Sequence, residues 1–134
     1  MGAQSRTKGA AFEREVARDL FLLTGVGFAR NLEQCRADVL GDLVADDPAF
    51  PFVIECKNHA TLNGALSKWK AQAVAAATKA ERFPAVVYKL NRQPIRVLIT
   101  MHAILPTLPA NEWAEITLPA FAALAAEVMA RRHV

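Results

Sequence analysis

The residues best placed to do chemistry are two acids and a lysine around the end of one apolar strand. The stretch Phe52-Val53-Ile54-Glu55-Cys56-Lys57 opens with three apolar positions and then sets a carboxylate and an ammonium on alternate ones, with Asp42 upstream. Successive side chains of a strand point to opposite faces, so Glu55 and Lys57 share a face while Cys56 turns into the packing of the sheet. If Asp42 lies on a neighbouring antiparallel strand, it and Glu55 can hold one hard cation through oxygen. Lys57 then stands beside them to handle a water or a developing charge. Metal-dependent phosphodiesterases are often built this way.

The elements that must position these residues can be read from periodicity. Apolar residues from Ala11 to Leu23 recur at three and four spacing, which predicts an amphipathic helix over about 8–23, with Ser5 and Thr7 as caps and Gly25 and Gly27 ending it. A short strand is expected at 27–30 and a polar loop at 31–36. Two strands, 37–45 and 51–57, should form a hairpin across the turn sequence Asp46-Asp47-Pro48, carrying Asp42 toward Glu55. An alanine-rich second helix follows over 65–81, then a β-rich pair at 84–89 and 95–99. The tail should hold a short strand at 115–118 and a last helix over 119–131, with proline in its first turn.

Composition bounds the class. A chain of 134 residues that is 53% hydrophobic has enough apolar content for one domain, residues 1–134, with a real core. No apolar run approaches the roughly 18 residues of a membrane span, and the polar N-terminus is unlike a signal peptide, so a cytoplasmic protein without membrane contact is expected. The two cysteines, Cys35 and Cys56, form no CxxC pair and have no histidine at zinc-site spacing; free thiols are expected. A net charge of +3 permits a nucleic-acid partner, more so because an acidic metal site would mask part of a basic surface.

Taken together, Lys8-Gly9 with Glu13-Arg14-Glu15-Val16, Asp42-Leu43-Val44, Ile54-Glu55-Cys56-Lys57, Gln72 and Val87-Tyr88-Lys89 resemble, in this order, the PD-(D/E)XK nuclease core. More narrowly, they resemble the archaeal-type Holliday junction resolvases, which are also found in phages. The resemblance covers about residues 6–100 and leaves 101–134 as a C-terminal extension. It departs from the family at Gly41, where the family has a proline before the aspartate. It implies an α/β, restriction-endonuclease-like core with a central mixed sheet of about five strands flanked by helices. The implied activity is a structure-selective DNA endonuclease acting on branched DNA in recombination. Other nucleases of the same core, restriction-like or nicking, and a non-catalytic DNA-binding module are the alternatives.

The resemblance also implies roles. Asp42, Glu55 and the backbone carbonyl of Cys56 would bind Mg²⁺, with Mn²⁺ substituting, and Lys57 would orient the water or stabilise charge. Glu13 would bind the metal through water or hold a second ion, and Gln72 would hydrogen-bond the nucleophile or phosphate. Asp38 lies four residues before Asp42 on the same strand face and is the alternative ligand; Asp42 is favoured because it stands nearer the turn. Arg6, Lys8, Arg14, Arg18, Arg30 and Arg36 are candidates for phosphate contacts to branched or duplex DNA. Symmetric cleavage of a four-way junction needs two sites, which implies a homodimer. His59 follows the motif and could contact phosphate, although a histidine there is ordinarily solvent-exposed. Trp69 and Trp113 read as packing residues.

Overall fold

The computed structural model describes residues 3–32 and 41–132. Six strands form one mixed sheet in the order β1 to β6: Phe28–Arg30, Leu43–Ala45, Phe52–His59, Phe83–Leu90, Arg96–Thr100 and Trp113–Thr117. Among the described strands only β3 and β4 pair in parallel, and the other neighbouring strands are antiparallel. Helix α1 is Ala3–Thr24, α2 is Leu66–Ala80, α3 is the single turn Met101–Ile104 and α4 is Leu118–Arg132.

The alternation of β3 divides its side chains between two layers. Phe52 and Ile54 pack with Phe12, Val16 and Leu20 of α1 and with Phe121, Ala122 and Ala125 of α4, and Cys56 borders that cluster. Val53 turns the other way, onto Ala76 and Ala77 of α2. On the same side Trp69 and Ala73 of α2 pack on Val86 and Tyr88 of β4 and Leu98 of β5. Phe52 and Phe121 meet edge to face at 4.9 Å between ring centroids, a geometry that suits the ring quadrupoles. Glu55 and Lys57 therefore emerge on the α2 side of the sheet, as the strand pattern requires.

Several expectations change. The sheet has six strands where about five were expected. Helix α1 begins at Ala3, so Ser5 and Thr7 lie inside it and do not cap it. Its far end is as expected: Gly25 sits in the left-handed region at φ +78 and donates its N–H to Phe21 O at 2.8 Å, closing the last turn. The residues after Thr100 are no appendage. Strand β6 pairs with β5 over five positions, and α4 places Phe121 and Ala125 in the main core. Among the described residues no helix is long and apolar enough to cross a membrane. Cys35, Arg36, Asp38 and the first part of the expected strand 37–45 lie outside the described residues, as do His133 and the side chain of Arg6.

Candidate active site

Strand β3 runs from a closed core into an open end, and the site forms where it leaves the core. Glu55 is the last deeply buried side chain on its face, 4% exposed, and Lys57 is half-buried. The Lys57 ammonium donates to Gln72 Oε1 of α2 at 2.8 Å. Glutamine and lysine, singled out separately in the sequence, thus form one unit.

Asp42 arrives from the other side. Leu43 pairs with Ile54 in the antiparallel β2/β3 register and Gly41 bridges to the same Ile54, so Asp42, between them, is held against β3 where Glu55 and Cys56 follow. Its backbone N–H donates to Ile54 O at 2.8 Å, and its Oδ2 accepts the Cys56 N–H at 2.7 Å. A carboxylate bonded this way to a backbone N–H is held in place. Gly41 makes the approach possible. It has φ +77, and a Cβ there would lie 2.5 Å from Ile54 O and 2.8 Å from Val53 Cγ1. A proline, locked at negative φ, cannot adopt this backbone, which is the physical reason for the departure at Gly41.

A residue the sequence did not single out fixes this corner. Asn31, just past β1 and 8% exposed, donates its Nδ2 to Gly41 O at 2.8 Å and its backbone N–H to Asp42 O at 2.9 Å. Its only trace in the sequence is an asparagine next to a strand end, a common turn signal, so it reads as loop.

Electrostatics bind the two acids together. Burial pushes the Glu55 carboxyl up to about 8, and the negative Asp42 beside it, to which it is hydrogen-bonded, adds to the rise; Glu13 raises it further and Lys57 opposes. A carboxyl raised this far favours its protonated form at neutral pH. Burial, followed by the surrounding acids, also holds the Cys56 thiol well above its usual range, so this side chain is not a thiolate and Cys56 can offer only its backbone.

Glu13 is close enough for its charge to act on Glu55, but its Oε1 accepts Arg30 Nε at 2.7 Å. Arg30, expected at the phosphate backbone, is therefore the partner of the third acid. Lys8 is exposed on α1, and so are Arg14 and Arg18, the latter paired with Asp19 at 3.5 Å. Trp113 lies under the Lys70 ammonium, 5.6 Å from its ring centre. Among the described residues no three His, Cys, Asp or Glu side chains gather as a complete metal centre. What the geometry offers is an all-oxygen pair, Asp42 and Glu55, whose proton marks where positive charge is needed. A hard divalent ion suits that donor set. A groove of about 680 Å³ between the end of α1, the β4–β5 turn and the start of α4 is lined by none of Glu13, Asp42, Glu55, Lys57 and Gln72.

Comparison with known proteins gives a family and a fold. The family described as phage putative PDDEXK endonuclease matches residues 4–123. Among solved structures, that of Archaeoglobus fulgidus Hjc, a Holliday junction resolvase from an archaeal hyperthermophile, superposes with a TM-score of 0.52 at 19% identity, covering 88% of this chain and 98% of that one. No curated protein matches.

Proposed function

Since this chain belongs to the phage PDDEXK endonuclease family, we propose that it is a single-domain, metal-dependent DNA endonuclease that hydrolyses phosphodiesters at branched DNA, in the manner of a Holliday junction resolvase. The observation that carries the reading is the buried Glu55 carboxyl set beside Asp42, which is fixed by the Cys56 N–H, next to the Lys57–Gln72 unit. A structural role alone gives no reason to bury two acids against each other at a strand end.

Asp42, Glu55 and the Cys56 carbonyl would hold Mg²⁺ or Mn²⁺, which supplies polarisation of the scissile phosphate and of an attacking water. The chain's own part is positional. For both acids to hold the ion, the Glu55 carboxyl would have to lose the proton that burial beside Asp42 favours. The Cys56 N–H keeps Asp42 Oδ2 from turning away. Lys57, aimed by Gln72, would orient the water or meet charge developing on the phosphate; a single preorganised hydrogen-bond donor at developing charge contributes about 3–4 kcal/mol in known cases. Glu13 would act through water while held by Arg30. Arg6, Lys8, Arg14, Arg18 and Arg36 would meet phosphates, and two copies of the chain would present paired sites to a junction.

A panel of labelled four-way junction, fork, linear duplex and single-stranded DNA with Mg²⁺, beside EDTA and Lys57→Ala controls, tests the reading. Paired symmetric cuts confined to the junction are expected. Equal cutting of all forms would replace the resolvase reading with a general nuclease, and binding without cutting would replace it with a DNA-binding module.

A further inference from the structure

We propose that His59 is a substrate-contacting residue of this enzyme, one that grips the DNA backbone beside the scissile phosphate from a platform made by Trp69; the proposal rests on the nuclease reading above. Val53, Glu55, Lys57 and His59 occupy alternate positions of β3 and so lie on one face. Each step of two residues advances roughly 7 Å along a strand, which sets His59 next to Lys57 on the side away from the carboxylates. Helix α2 follows this face with a matching series. Ala76 and Ala77 pack on Val53, Gln72 takes Lys57, and Trp69, three residues from Gln72 and so on the same side of the helix, takes His59. His59 therefore continues the row that contains the catalytic groups.

The contact is shaped to present the ring. His59 is exposed, whereas Trp69 is 4% exposed, and their ring centres lie 5.1 Å apart at an interplanar angle of 35°. Trp69 is itself backed by Tyr88 at 5.8 Å, and the Tyr88 hydroxyl donates to the Glu115 carboxylate. One face of the imidazole is thus seated on a rigid support and the rest is open to a ligand. Partial burial, then the ammonium groups of Lys57 and Lys8, holds its pKa below the ordinary value. That leaves a neutral ring with one N–H to donate, placed among cations that would draw a phosphate to it.

The test compares wild type with His59→Ala, His59→Gln, Trp69→Phe, Trp69→Leu and the double variant His59→Ala/Trp69→Leu. The dissociation constant for labelled junction DNA is measured by anisotropy with Ca²⁺ replacing Mg²⁺, and KM and kcat are measured with Mg²⁺. His59→Ala is expected to raise Kd and KM about 5- to 10-fold while kcat stays within twofold. His59→Gln, which keeps a donor, should recover most of the loss. Trp69→Phe should be mild, and Trp69→Leu should add little once His59 is already alanine. If Trp69→Leu does not fold, the two His59 variants decide alone. A His59→Ala protein with Kd and KM within twofold of wild type overturns the proposal. Wild type that binds DNA without cutting would overturn the nuclease reading, yet the Kd comparison would still decide whether His59 touches DNA; wild type that neither binds nor cuts overturns both.

Discussion

The two faces of strand β3 are built from the same eight residues and do opposite things. Toward α1 and α4 it presents Phe52 and Ile54, then Cys56, all among apolar neighbours. Toward α2 it presents Val53, Glu55, Lys57 and His59, passing from a packed contact to a buried acid, a half-buried base and an exposed ring. The first face supplies hydrophobic stabilisation and a fixed strand. The second uses that rigidity to hold charges whose close approach is itself unfavourable. The comparison teaches that stability and chemistry are separated here by the two-residue period of a strand, so substitutions on the two faces should fail in different ways.

The largest expected difference is in activity. Asp42→Asn should lower cleavage by about 10³-fold or more, since it removes a charged donor from the metal pair, while circular dichroism shows an unchanged melt or a modestly raised one. Phe121→Ala, on the opposite face, should do the reverse. It is expected to cost about 3–5 kcal/mol in urea unfolding while cleavage per folded molecule is kept. Loss of cleavage in a folded Phe121→Ala protein would break the separation.

Glu55 sharpens the comparison through pH. Its pKa is higher in the folded chain, about 8, than its ordinary 4.5, so the folded state binds more protons between those values. Stability contributed by that proton is fully present below the ordinary value and is lost as pH rises through about 8, on the order of a few kcal/mol. Metal-free protein should therefore melt lower at pH 9 than at pH 5 through this group. Glu55→Gln should flatten the slope, and Mg²⁺ should recover stability in wild type but not in the variant. A slope unchanged by Glu55→Gln would show that Glu55 holds no such proton.

A smaller effect is expected at Asn31→Ala, which leaves Gly41 O without the side-chain donor. It should cost about 1–3 kcal/mol in unfolding and weaken the metal response, because Asp42 loses the neighbour that fixes its backbone. Asn31→Ala with an unaltered metal titration would reduce this residue to a packing role.

How much of this was legible follows the same division. Faces could be read from the sequence because they depend on local period: the Glu55/Lys57 alternation, the inward turn of Cys56 and the α2 stripe with Trp69 and Ala73 need only neighbouring residues. The pairing of Asp42 with β3 followed from the hairpin. What could not be read is contact between segments distant in the chain. The Glu13–Arg30 pair joins a helix to the end of β1, whereas in the sequence they stood apart, one as a metal ligand through water and the other as a phosphate contact. Asn31 works through backbone carbonyls, which have no sequence signal at all. Gly41 looked like a missing proline, and only φ +77 and the nearness of Ile54 O reveal why glycine stands there. The tail after Thr100 is punctuated by proline and carries weak periodicity, so its place in the sheet and core emerges only from β5–β6 pairing and the seat of Phe121.

The central claim is that Asp42 and Glu55 form a metal site held in waiting by a proton. Calorimetric titration of Mn²⁺ into wild type and Asp42→Asn at pH 7, repeated in two buffers of different ionisation enthalpy, tests it most directly. Binding by wild type with release of about one proton, lost in Asp42→Asn, is the expected result. Binding that releases no proton, or that survives Asp42→Asn undiminished, would contradict the account.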